Sequence, residues 1–184
     1  DDQGQPCVVL TATAVTAARR STWRQIDHPM PQVPPPDHVE LALRAKGVAW
    51  LDRYEMRAID GGLPAVWDGS GEHSRSLLWM RDTPARALDF LSLTSFADLF
   101  IPRVWVRRAT RVPVGTVSMT VYFHAGPAEL LAAGTDHLLG QAQAQAFHDG
   151  FFDQHGQIWS RAGHLLVTTH QINEVLSNVF GCSL

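Results

Sequence analysis

The chain has almost no cysteine: Cys7 and Cys182 are the only thiols in 184 residues, near opposite ends and without zinc-ligand spacing. That excludes a disulfide framework, and free thiols in a cytoplasmic protein are expected rather than one long-range bridge. Lysine is scarcer still, with Lys46 alone among 15 basic residues, and the formal net charge is -3. Non-specific nucleic-acid binding needs clustered phosphate-neutralising charge, so nucleic acid is not an expected partner. No apolar run approaches the roughly 20 residues of a membrane-crossing helix. The opening DDQGQP has neither the basic start nor the hydrophobic stretch of a signal peptide. What the chain does have is apolar content, 45% of residues, enough to bury a core for one domain and part of another.

Proline is concentrated in one block. HPMPQVPPPDH, residues 28–38, holds five prolines, which remove backbone donors and keep the chain extended, so 28–44 reads as a linker. Ahead of it, residues 7–16 are rich in Val, Thr and Ala, a strand pattern beginning close to Asp1. A strand with no neighbour predicts that residues 1–27 close a domain whose earlier part lies outside the chain. Beyond the linker, AWLDRYEMRAI alternates loosely, residues 61–73 form a turn-rich loop, and SRSLLWMR reads as a strand. Asp82-Thr83-Pro84 predicts a helix start, with Thr83 as cap and Pro84 in the first turn; the helix runs to about Phe100, ahead of Pro102. The rest, from RVWVRR through VGTVSMTVYFHA to GHLLVTTHQI, predicts strands punctuated by glycines. One long helix over a curved antiparallel sheet is an α+β arrangement.

Several side chains have the chemistry of a site. Ala87, Leu91, Thr94 and Asp98 follow helical spacing, so Asp98 shares a stripe with Leu91. Either that stripe reaches the surface and Asp98 is a solvated charge, or Asp98 is a base in a desolvated pocket. Alternation in GTVSMTVYFH places Thr116, Ser118, Thr120 and Tyr122 on one face and Val117, Met119, Val121 and Phe123 on the other. In LLVTTHQI it aligns Gln171 with Leu165, Val167 and Thr169, facing inward, and turns His170 away. The later histidines, His124, His137, His148, His155, His164 and His170, lack HExxH or HxxxH spacing, so neither metal nor cofactor is expected. No GxSxG elbow is present. Arg103, Arg107, Arg108 and Arg111 form the one dense basic cluster, suited either to phosphates of a substrate or to a charged, solvated edge strand.

Taken together, LSLTSFADLF, VGTVSMTVYFHAGP, the run from AELLAAGTDHLL to LLVTTHQ and the linker's VPPPD resemble the type II acyl-CoA thioesterases, over nearly all of residues 6–172. These are double hotdog proteins, two folds of a long helix wrapped by a curved antiparallel sheet. The resemblance implies a closing strand of the first hotdog within 1–27, the linker at 28–44, the second hotdog at 45–172 and a tail at 173–184. It implies a catalytic set of Asp98, Thr116 and Gln171, acting on acyl-CoA to give a free acid and coenzyme A. Asp98 would deprotonate a water held by Thr116 and Gln171, or attack to form an acyl-Asp intermediate. A backbone N–H at the positive end of the helix would steady the oxyanion. Independently of the resemblance, the charge of Arg103, Arg107 and Arg108 makes them the residues expected to meet the substrate's phosphates. Where the family's Thr strand carries Asp-His and ends in Phe-His-Arg-Pro, this one reads Val117-Ser118-Met119 and Phe123-His124-Ala125-Gly126. The alternatives are a non-catalytic acyl-binding or structural hotdog half and, behind it, a hotdog enoyl-CoA hydratase. The open sheet edge of a lone second hotdog predicts a homo-oligomer or association with a first hotdog.

Overall fold

Burial alternates residue by residue over residues 151–158 and 167–173, and that alternation fixes which face of the sheet meets the helix. The computed structural model describes residues 11–18, 20, 22–42 and 49–176. Its strands are β1 (Tyr54–Asp60), β2 (Ser76–Asp82), β3 (Val114–Phe123), β4 (Leu138–Gln143), β5 (Phe147–His148), β6 (Phe151–Ser160) and β7 (Leu165–Val175). Three helices accompany them, α1 (Phe90–Ala97), α2 (Arg103–Arg108) and α3 (Pro127–Ala133). The strands form one antiparallel sheet in the order β1-β2-β4-β6-β7-β3, with β5 hairpinned onto β6. In β6, Phe152, Gln154, Gly156 and Ile158 are buried while the residues between them are partly open. Their partners on β7 are Asn173, Gln171, Thr169 and Val167, so the inner face is continuous across the two strands.

Helix α1 lies on this inner face. Leu93, Phe96 and Ala97 are buried in one cluster with Leu78, Met80, Leu138, Ala142, Ile158, Leu166 and Val167. Two glycines let Phe100, just beyond the helix, reach the sheet. A Cβ on Gly140 would stand 2.1 Å from Met80 Cε, and one on Gly156 would stand 3.2 Å from Phe100 Cε2. On the outer face the linker does more than connect. Met30, Val33 and Val39 pack on Leu77, Trp79 and Leu139, and Trp79 Nε1 donates to Pro34 O at 2.9 Å.

Four expectations change. The helix begins at Phe90 and ends at Ala97, shorter than 84–100, because Asp89 is its cap: the carboxylate accepts from Ser92 N at 2.7 Å. Thr83 is instead held to the β1–β2 hairpin, its N–H donating to Arg53 O at 2.7 Å. RVWVRR is α2 rather than a strand, a six-residue apolar-polar alternation being too short to separate the two periods. Of the strand expected over 7–16, residues 7–10 lie outside the described residues, and 11–16 are exposed with no ladder partner. Finally, β7 continues past 172 to Val175, which brings Asn173 into the sheet.

Candidate active site

The stripe carrying Asp98 faces away from the core: Leu91 and Thr94 are exposed, and the buried stripe is Ser92, Leu93, Phe96 and Ala97. Asp98 is the C-cap of α1, where the chain leaves the helix beside β7. It keeps solvent access, yet protein crowds its carboxylate enough that burial raises its pKa above the usual aspartate range. A hydrogen bond from Gln171 offsets part of that rise. Gln171 Nε2 donates to Asp98 Oδ1 at 2.7 Å, joining two residues 73 positions apart. This position also corrects the expected oxyanion donor. The positive end of α1 is at Asp89, a helix length of about 12 Å from Asp98 by the α-helical rise.

Gln171 is 4% exposed and reaches the site from the inner face of β7, as its alternation with Val167 and Thr169 requires. Its amide is held at both ends. Gln154 Nε2 donates to Gln171 Oε1 at 3.1 Å, and Met119 Sδ lies 3.1 Å from Gln171 Nε2. His170 is exposed on the outer face, its Nε2 3.8 Å from Asp153 Oδ2, and takes no part.

Thr116 arrives by a route that strict alternation misses. The β3–β7 register shifts between Thr116 and Ser118, so Val117 is an extra residue in the ladder. Beyond the shift, Met119 faces Gln171; before it, Thr116 faces Asn173. Directly opposed residues share a face, so the bulge moves Thr116 off the hydroxyl-rich outer face and onto the inner one. Its Oγ1 donates to Asn173 Oδ1 at 3.2 Å, which leaves the oxygen's lone pairs open to an incoming donor. Thr116 is itself exposed, on the edge strand.

The arginines separate. Arg103 is fully buried with its guanidinium spent on the protein, donating to Ser74 O at 2.9 Å, Ser76 Oγ at 2.7 Å and Ile101 O. It has no surface left for a ligand, and burial lowers its pKa. Arg107 and Arg108 are exposed on the last turn of α2, Arg107 donating to Gly71 O at 2.8 Å. Among the described residues no three His, Cys, Asp or Glu side chains come together as a metal site. Two neighbours of the site went unnoticed in the sequence, Gln154 and Asn173, and Met119 was placed on its face without being tied to the site. Both were within reach of pattern alone, since Asn173 continues the inward row of Gln171, and Gln154 alternates with Phe152 and Gly156.

A short helix on the inner face of a seven-stranded antiparallel sheet is a hotdog arrangement. Residues 27–175 match the acyl-CoA thioesterase C-terminal domain, and the chain belongs to that family. Among solved structures, a conserved hot dog fold protein of unknown function from Alicyclobacillus acidocaldarius is 40% identical, with a TM-score of 0.80 over 88% of this chain and 60% of that one. An acyl-CoA thioesterase II from Mycobacterium marinum is 18% identical, with a TM-score of 0.65 over 88% of this chain and 60% of that one. The tesB protein of Mycobacterium avium subsp. paratuberculosis is 20% identical, with a TM-score of 0.62 over 83% and 56% of the two chains. The chain thus spans 60% or less of the length of these relatives. No curated protein matches it.

Proposed function

We propose that this domain carries the catalytic residues of a thioester hydrolase that converts acyl-CoA to a free acid and coenzyme A. The observation that carries the reading is the 2.7 Å contact between Asp98 and Gln171 in a member of the thioesterase family. Gln171 spends its amino group on one oxygen of Asp98, so the other is left to accept a proton from water. Thr116, with its hydrogen committed to Asn173, offers an acceptor for the same water's second hydrogen. The water's lone pair then attacks the thioester carbonyl, the tetrahedral intermediate collapses, and the thiolate of coenzyme A leaves with the proton held by Asp98. The group bonded to Asp98 is the amide of Gln171, as a hydrolase that positions water with neutral groups would use, and hydrolysis is the reading we put ahead of hydration of an enoyl-CoA. Of the arginine cluster, Arg107 and Arg108 are the members proposed to meet the phosphates of the coenzyme.

The site lies at the open margin of the sheet. β3 pairs with β7 alone among the described residues, and Thr116 sits on it. A second hotdog against that edge would close the site, supplied by a second copy or by a preceding domain that residues 1–27 are proposed to complete. Thiol release from a series of acyl-CoA esters tests the activity. Turnover that falls at least tenfold on Gln171→Leu while remaining measurable supports it; acyl-CoA binding with no turnover in the wild type would make the domain an acyl-binding half instead.

A further inference from the structure

We propose that Gln154 is a positioning residue that sets which way round the Gln171 amide faces. A polar side chain buried among apolar ones is costly unless it is hydrogen-bonded, and Gln154 is 2% exposed between Phe152 and Gly156 on the inner face of β6. An aliphatic residue would fill that position at no such cost. The register places Gln154 directly opposite Gln171, and its amino group donates to Gln171 Oε1 at 3.1 Å.

That contact has a directional consequence. A glutamine amide is an acceptor at one end and a donor at the other. With its oxygen taken by Gln154, Gln171 turns its amino group to Asp98 at 2.7 Å and to Met119 Sδ at 3.1 Å. Gln154, Gln171 and Asp98 thus form a line in which each amide donates to the next group and the carboxylate receives. Reversal of Gln171 would aim an oxygen at Asp98, which repels the carboxylate and welcomes its protonated form. Asp98 is the titratable member of this line. Asp153 and His155 on β6 and His170 on β7 belong to the opposite face by alternation, and Asp153 is engaged with Gln145 N and Ala146 N at 2.8 and 2.9 Å. No ionisable side chain of β3 opposes Gln171, where Met119 stands.

The inference rests on the proposed role of Asp98 for its bearing on catalysis, but its first test needs no turnover. Carboxyl carbon NMR on the full chain follows the titration of Asp98 in wild type, in Gln154→Glu, and in both forms on a Gln171→Met background. An ionised glutamate at 154 only accepts, so it draws the Gln171 amino group away from Asp98. The expected result is a rise of the Asp98 midpoint by more than about one pH unit in the Gln171 background, and by less than half of that once Gln171 is gone. Equal shifts in both backgrounds, or none in either, overturn the proposal, since bare charge alone would give the first. Gln154→Met, close in volume, supplies the second arm. Its kcat should fall about tenfold with KM unchanged, and the acid limb of its pH profile should move up. A lower Tm with kcat per folded molecule and acid limb unmoved would make Gln154 merely structural. If Asp98→Asn keeps full activity while the NMR coupling is present, the hydrolase mechanism fails and the positioning stands.

Discussion

Two things act on Asp98 at once: it sits at the negative end of a helix, and protein crowds its carboxylate. Both features disfavour its charge, and the single hydrogen bond from Gln171 offsets only part of the effect. A carboxyl group whose folded pKa is raised binds its proton more tightly folded than unfolded. Ionised Asp98 therefore weakens the fold, an effect absent well below pH 3.8 and complete once the pH exceeds the raised value. Asp98→Asn should accordingly raise Tm at pH 7 and leave it unchanged near pH 3, as a thermal melt at the two pH values would show. This is the opposite of what a structural ion pair would give. Strand alternation made the inward direction of Gln171 legible, whereas Asp98 was singled out by the family resemblance, since helical spacing put it on a stripe that proves exposed. Their contact was not legible, since 73 residues separate them and only the sheet brings them together.

At the scale of elements, what decided the outcome was mostly information held by partners. Strand β7 reads correctly because both its neighbours agree with its alternation, but β3 contains a bulge, and a bulge is a mismatch between two strands that neither shows alone. Thr116 consequently falls on the inner face, where a strict count puts Met119 without it. The same holds for α2. Arg103 is buried by the carbonyls and hydroxyl it meets on the loop before β2 and on β2 itself, and six residues of sequence carry no sign of them. Arg103→Met strips the Ser74 and Ile101 carbonyls of their charged donor and should cost about 3 kcal/mol in chemical denaturation. Arg107→Ala and Arg108→Ala, on the exposed turn, should stay within about 0.5 kcal/mol. Equal costs at the three positions would contradict the placement of α2.

For the molecule as a whole, one sheet has two very different margins. The β1 side is covered, Ala42 N donating to Met56 O at 2.8 Å and Arg57 reaching Val39 O at 2.7 Å. The β3 side presents ten residues of edge, with Val117 and Tyr122 each 58% exposed. A long open edge with apolar side chains invites pairing. Light scattering at high concentration should therefore give a mass above the 20.3 kDa of one chain; a stable monomer would contradict that. The α+β class was readable from the run of strands around one helix, and the hotdog fold came with the family resemblance. The packing of the proline block onto the outer face was not readable, because a linker and a sheet cover look alike in sequence.

The central claim is that Asp98, held by Gln171, removes the proton from the attacking water. The pH dependence of acyl-CoA hydrolysis tests it most directly, with wild type, Asp98→Asn and Gln171→Leu compared at saturating substrate. The account predicts an acid limb above the ordinary aspartate value of 3.8 in wild type. It predicts a further rise of that limb when Gln171 no longer supports the carboxylate, and a loss of about a hundredfold or more in Asp98→Asn at every pH. An Asp98→Asn enzyme that keeps the wild-type rate and the wild-type limb would contradict it.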